Sequence, residues 1–522
     1  MYFATTSEKV KVIDRKATKE WGLPSSLLME NAGRSSVKVI REEISPLPEE
    51  ILVVSGKGNN GGDGLVIARR LIDLGFQVET FVLGERGQLA EETERNVELL
   101  ERMTERVNYC SPGDELLVDS IEKNPPLIID SIFGIGIEGE LRGNYPELID
   151  VINNSRGKTV AIDIPSGLPA DSGSPPGPAV EADLTVTMGF IKLGTLLPVA
   201  KKYVGRQRVA SVGYPEVLIR KEAEVWEMVD GQVARKLLPD RPSGGHKGDF
   251  GRLLVVGGST GMTGAPILAA KSGARSGTGL VYLAGPKSGN QVFEANLIEG
   301  LTVPLTDEGG YLGQGSVDSL REAARGKDAV ALGPGLGRKE GTGELVVNFL
   351  GQLSKPAVLD ADGVVAFSDK VDALEEIDEL VLTPHPGELA RLLDTTPGEV
   401  DKKRYEIVPD LAQKLGVTLL LKGVPTVIGA PTGEVALASC PNSGLAKGGS
   451  GDVLTGLIGG FLAQDLSTFS AARLGAWVHC KAGKLGAEKW GQDSLQPGDL
   501  IKLISPALKE LRKEKEGLYE WK

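Results

Sequence analysis

The chain has 522 residues, 41% hydrophobic and 25% charged, with a formal net charge of -13. That length exceeds a single hydrophobic core and, at about 100 to 200 residues per domain, predicts two domains. The acidic balance argues against non-specific binding to nucleic acid or anionic membrane, and no apolar run approaches the roughly 18 residues that span a bilayer.

Glu8, Lys9 and Lys11 precede any long apolar stretch, so no signal or transit sequence is read and a cytoplasmic protein is expected. Cys110, Cys440 and Cys480 are odd in number and scattered, which predicts reduced core thiols. His246, His385 and His479 lack zinc-site spacing, so any metal should be oxygen-ligated. Glycine is the compositional outlier, with 69 residues against a usual share of about 7%, and it gathers at strand ends.

Apolar, β-rich runs at 51–54, 78–83, 127–129, 159–162 and 184–187 alternate with amphipathic stretches such as 88–103. This is the pattern of an α/β fold with a parallel sheet. After a charged segment at 220–230 and a turn-rich run from Pro239 to Gly245 the rhythm restarts, with runs at 253–256, 280–283, 329–332, 357–359, 380–382 and 417–421. Two α/β domains are therefore expected, 1–222 and 223–522.

In the first domain the run Gly56-Lys57-Gly58-Asn59-Asn60-Gly61-Gly62-Asp63-Gly64 follows a strand and precedes a helical pattern at 65–74, so it reads as a ligand loop. Lys57 fits a phosphate contact and a solvated turn equally well, and helix capping explains Asp63 without function. Asp130 and Asp163 differ, because each ends a strand expected to be buried, where an ionised carboxylate needs a cation, donors or a catalytic use. Asn60, Asp130 and Ser166 together offer hard oxygens suited to a group I or II cation.

The motifs Leu28-Met29-Glu30-Asn31-Ala32-Gly33, GKGNNGGDG at 56–64, DSIFGIG at 130–136 and DIPSG at 163–167 occur in order, and roughly residues 1–220 resemble the NAD(P)H-hydrate epimerase family. The resemblance implies a Rossmann-like three-layer α/β/α fold and interconversion of the R and S hydrates of NADH and NADPH. It places Asn59, Asn60, Gly61, Gly62, Asp63, Gly134, Ile135, Gly136, Ile137, Glu138, Gly139 and Glu140 around the hydrate. It also implies that Asp163 contacts the substrate and that Asn60, Asp130 and Ser166 hold potassium. Asp163 is the candidate for acid/base work, since epimerising a carbon that bears hydroxyl and nitrogen requires proton movement. Ile135 stands where the family more often has Thr.

In the second domain the run Ala446-Lys447-Gly448-Gly449-Ser450-Gly451-Asp452 opens an apolar helix predicted over 453–462. Backbone amides of such a turn can hold a transferring phosphoryl group while Asp452 takes the proton of the attacking hydroxyl. GPGLG at 333–337, TPHPGE at 383–388 and Lys422-Gly423-Val424-Pro425-Thr426 are further strand-end motifs. With His246-Lys247-Gly248 and Thr263-Gly264-Ala265, they make roughly residues 225–515 similar to the ADP-dependent NAD(P)H-hydrate dehydratase family, a ribokinase-like three-layer α/β/α fold.

That resemblance implies that Ala265, Gly335, His385 and Asp452 meet the hydrated nucleotide. Lys422, Gly423, Val424, Pro425, Thr426, Gly449, Ser450 and Gly451 would meet ADP or ATP with Mg²⁺. Ser450 stands where Thr is commoner, and Lys447 adds a charge where a small residue is expected. The partners expected are NAD(P)H hydrates and ADP or ATP, in a homo-oligomer without nucleic acid or membrane. The rival reading is a small-molecule kinase carrying a non-catalytic N-terminal module, against which TPHPGE and HKG argue.

Overall fold

The computed structural model describes residues 2–137 and 139–517. Two compact units form, Tyr2–Trp226 and Glu227–Lys522. Among the described residues no helix is long and apolar enough to cross a membrane.

In the first unit seven parallel strands lie in the order Val107–Cys110, Gln77–Leu83, Glu50–Ser55, Leu127–Ser131, Lys158–Ile162, Leu184–Met188 and Arg206–Ala210. Leu127–Ser131 and Leu184–Met188 are buried throughout, as a sheet covered on both faces requires. Strand order reverses between Glu50–Ser55 and Leu127–Ser131, so their carboxyl ends form the topological switch point where such folds leave a crevice. The edge strands Val107–Cys110 and Arg206–Ala210 gave no apolar-run signal because both are only partly buried.

The helix after the first central strand spans Asn59–Asp73 and so starts before the predicted position 65. The NNGGD run is therefore helical, only Gly56, Lys57 and Gly58 remain as loop, and the N-cap is Gly58 rather than Asp63. Close packing explains the difference. A Cβ at Gly56 would stand 1.9 Å from the Ile132 carbonyl oxygen, one at Gly61 1.8 Å from the Gly56 carbonyl oxygen, and one at Gly64 1.9 Å from Ser131 Oγ. These glycines let the helix start lie against the strand ends at the switch point. Gly33 does the same for helix Ser25–Glu43, where a Cβ would meet Val66 at 2.4 Å.

In the second unit parallel strands run in the order Leu301–Leu305, Leu280–Pro286, Arg252–Val256, Ala329–Leu332, Ala357–Leu359, Leu380–Leu382 and Thr418–Leu421. Two antiparallel strands, Thr426–Gly429 and Val435–Ala438, extend it. The apolar helix Ser450–Leu462 is buried along almost its whole length in the main core. It too starts ahead of prediction, because Gly449 at φ 98° caps it and Gly456 allows contact with helix Gly264–Arg275, a Cβ there falling 1.9 Å from the Ala269 carbonyl oxygen.

Gly56→Ala should destabilise the first unit by about 1–3 kcal/mol, since the added methyl meets backbone that cannot rotate away. Gly58→Ser should be neutral, because nothing lies within 4 Å of a Cβ there. Urea unfolding of the full chain followed by circular dichroism checks the contrast.

Candidate active sites

At the switch point of the first unit, Asp130 is fully buried. It accepts hydrogen bonds from the Ser166 amide at 2.9 Å, Ser166 Oγ at 2.6 Å and the Ile132 amide at 3.2 Å. Burial pushes its carboxyl up to about 6 against the lowering effect of the Ser166 bonds. Ser166 Oγ accepts from the Phe133 amide at 2.9 Å, and Asn60 Nδ2 donates to the Phe133 carbonyl at 2.8 Å. Phe133 thus gathers Asn60, Asp130 and Ser166, and it leaves Asn60 Oδ1 buried with no hydrogen-bond partner.

Asp163 follows strand Lys158–Ile162 with φ 67°, a conformation that costs a non-glycine residue energy and clusters at working sites. Its Oδ1 accepts from the Met188 amide at 3.0 Å and from Lys192 Nζ. A Cβ on Gly134 would stand 3.7 Å from Asp163 Oδ2 and 3.2 Å from Asn60 Cβ, so the three residues form one wall. Burial, then the charge of Asp163, raises the Asp63 carboxyl well above the ordinary range and favours its protonated form. Tyr214 donates to Asp14 at 3.1 Å, and burial with that partner pushes its phenol up.

The rest of the expected hydrate site is more open. Gly61 and Gly62 are buried in the helix start, whereas Asn59 and Lys57 are exposed. Ile135 packs against the cluster containing Ile164 and Leu168, so its side chain serves the core. Gly136, Ile137, Gly139 and Glu140 lie on a loop where a Cβ at either glycine would meet nothing within 4 Å. Glu138 lies outside the described residues.

In the second unit a cavity of about 570 Å³ is lined by Lys422, Gly423, Val424, Thr426, Ser450 and Gly451, together with His385. Pro425 and Gly449 are not on its wall. The Pro425 carbonyl accepts from buried Arg404, and Gly449 packs where a Cβ would meet Leu268 at 2.8 Å. Lys447 lines the cavity but donates to the Asp493 carbonyl at 2.5 Å. His385 caps helix Pro386–Leu392: its Nδ1 accepts from the amides of Gly387 and Glu388 at 2.9 and 3.2 Å, and Glu388 Oε2 accepts from the His385 amide at 2.8 Å. It therefore serves as both cap and cavity wall. Ala265 and Gly335 adjoin, a Cβ on Gly335 falling 3.2 Å from that of Ala265.

Asp452 lies in the first turn of helix Ser450–Leu462, and burial, followed by the charges of Asp360, Glu388 and Asp362 against Lys422, pushes its carboxyl up to about 7. Lys422 Nζ donates to Asp360 Oδ1 at 2.8 Å and lies 3.7 Å from Glu388 Oε2, while Thr455 Oγ1 donates to Asp360 Oδ2 at 2.6 Å. Although burial opposes it, the Lys422 ammonium holds Asp360 below the usual carboxylate range. His479, pushed down to about 4 by burial, is neutral and packs its Nε2 3.1 Å from Ser450 Oγ.

Sequence reasoning missed Lys192, Asp360, Glu388, Thr455 and His479 as site members. Asp360 follows the buried strand Ala357–Leu359, so the strand-end signal that marked Asp130 and Asp163 applied to it equally. The expectation of three reduced thiols needs correction. Cys440 and Cys480 form a disulfide across 40 residues of sequence, with both on the cavity wall. Only Cys110 is a free thiol, pushed up to about 12 by burial.

Two family models match the chain, the YjeF-related protein N-terminus over residues 25–194 and NAD(P)H-hydrate dehydratase over residues 253–506. It is 38% identical to the bifunctional NAD(P)H-hydrate repair enzyme of Moorella thermoacetica, over 99% of this chain and 98% of that protein. The chain belongs to the bifunctional NAD(P)H-hydrate repair enzyme family. The Escherichia coli member is 32% identical over 94% of this chain and 91% of its own. A solved ADP/ATP-dependent NAD(P)H-hydrate dehydratase from Bacillus subtilis, co-crystallised with ATP and Mg²⁺, is 28% identical with a TM-score of 0.47, covering 55% of this chain and 99% of that one. Full-length similarity to repair enzymes of this family leaves the small-molecule kinase with an inert N-terminal module without support.

Lys422→Met should cost about 3–5 kcal/mol, because it strands the buried Asp360 carboxylate. Adding Asp360→Asn should recover part of that loss. Urea unfolding of both variants, read as a double-mutant cycle, measures the coupling.

Proposed function

We propose that the chain repairs hydrated nicotinamide cofactors in two steps. The first unit interconverts the R and S hydrates of NADH and NADPH, and the second dehydrates the S form at the expense of ADP or ATP. The observation that carries the reading is Asp452 in the first turn of a glycine-capped helix whose Ser450 and Gly451 line the cavity with Lys422, Asp452 itself not being on the wall.

In the first unit Asp163 acts as the acid/base group. Its carboxylate accepts the hydroxyl proton of the hydrate as the carbon–nitrogen bond opens to an aldehyde, and the proton passes to the released ring nitrogen. Closure on the other face of the aldehyde reverses these transfers and inverts the carbon. Asn60, Asp130 and Ser166 suit potassium, because Asn60 Oδ1 is buried without a partner and Asp130 is buried and short of positive charge. The ion would supply fixed positive charge for the substrate to dock against.

In the second unit Asp452 takes the proton of the hydrate hydroxyl while its oxygen accepts a phosphoryl group from the nucleotide. The phosphate then leaves with the oxygen, loss of the neighbouring carbon-bound proton restores the dihydronicotinamide, and ADP or AMP remains. Mg²⁺ would arrive on the nucleotide phosphates, since among the described residues no cluster of three or more His, Cys, Asp and Glu side chains is built as an ion cage.

Asp452→Asn should abolish recovery of dihydronicotinamide absorbance from the S hydrate yet leave R/S equilibration intact. A base must be ionised to work, so the carboxyl at about 7 should make kcat/KM for dehydration fall about ten-fold per pH unit below that value and level off above it. An acid limb confined below pH 5 would contradict the raised carboxyl of Asp452. KCl should raise the melting temperature of the first unit above its value in choline chloride of equal ionic strength, and Asp130→Asn should cancel the difference. Equal melting temperatures for the wild type in both salts would sink the potassium assignment.

A further inference from the structure

Lys192 is one of the largest fully buried side chains in the protein, with 0% exposure. Burying an ammonium is costly unless it is paired and hydrogen-bonded. Its Nζ donates to Asp163 Oδ1, to Thr187 Oγ1 at 3.0 Å and to the Met188 carbonyl at 3.3 Å. A lysine ammonium has three N–H bonds, so all are used within the protein and none is left for a substrate.

The fold fixes this lysine from both sides. It lies on strand Ile191–Lys192, paired with Thr5 of strand Phe3–Thr5, and its own carbonyl accepts from Thr195 Oγ1 at 2.7 Å. Asp163 is held as firmly, its amide donating to the Val186 carbonyl at 2.8 Å on the neighbouring strand. Lys192 Nζ and the Met188 amide both take Oδ1. Oδ2 accepts no bond from either and turns toward Gly134, beside Asn60.

We infer that Lys192 is the positioning residue of the epimerase site: it clamps one oxygen of Asp163 so that the other, Oδ2, faces the hydrate. This rests on the epimerase reading of the first unit. The lysine never touches substrate and takes no proton, so its contribution is to the geometry and charge of Asp163 alone. A stability-only pair would give the same burial, but it would not require that Asp163 Oδ2 be left to face the loops of the site.

The test follows R/S equilibration of NADH hydrate by full-length enzyme without nucleotide, reading the epimers by chromatography. Lys192→Met should lower kcat about 100-fold, the scale of a mispositioned acid/base group, while KM stays within about two-fold. Lys192→Arg, which keeps the charge, should recover part of kcat. Should Lys192→Met fail to fold by circular dichroism, Lys192→Gln removes the charge and keeps a polar amide in the buried position, with the same loss expected. Unchanged kcat in the folded uncharged variant, or a raised KM with kcat kept, overturns the role of Lys192. A wild-type enzyme that does not equilibrate the epimers would instead overturn the epimerase reading.

Discussion

A carboxylate at the carboxyl end of a buried parallel strand needs a compensating charge or hydrogen-bond donors, and each unit pairs one such carboxylate with a lysine. Asp163 meets Lys192 in the first, and Asp360 meets Lys422 in the second. The two pairs are used differently. In the first unit the free oxygen of the paired carboxylate lies toward Gly134, whereas in the second the pair stands beside Asp452 and Asp360 contributes to raising that carboxyl. The first pair is the one we propose positions a reacting group, and in the second Asp360 raises the Asp452 carboxyl while Lys422 lowers it, with burial the larger cause.

Glycine makes these arrangements possible. At the switch point Gly56, Gly61 and Gly64 bring a helix start against two strand ends, and a methyl at any of them would collide with the facing chain. Gly451 in the second unit is less constrained, since a Cβ there would lie 3.3 Å from the flexible end of Lys422 and at ordinary contact, 3.7 Å, from Asp360 Oδ2. At Gly56, Gly61 and Gly64 the absence of a side chain is thus a packing requirement, because the facing backbone and Ser131 Oγ approach more closely than a Cβ allows.

Much of this was legible from residue pattern. Apolar runs located the central strands, and a strand-end aspartate marked Asp130 and Asp163, since buried charge is rare without a purpose. The NNGGD run reads as loop because glycine is a poor helix former, yet tertiary contact makes it helical, whereas Asp452 lies in the first turn of its helix as the sequence suggests. Lys192 lay hidden as a lone lysine between Ile191 and Leu193, an apolar setting that was itself the signal. Its partner is 29 residues away, and the Cys440–Cys480 bridge spans 40, distances over which pattern carries no pairing information.

The division of labour between two sites is tested most directly by supplying each hydrate alone. Purified enzyme with ADP and Mg²⁺ is given either the R or the S hydrate of NADH, and the return of dihydronicotinamide absorbance is followed. The account predicts complete recovery from both, with R recovering far faster than its spontaneous conversion to S. Recovery from S alone would contradict an active first unit, and recovery from neither would contradict the dehydratase site around Asp452.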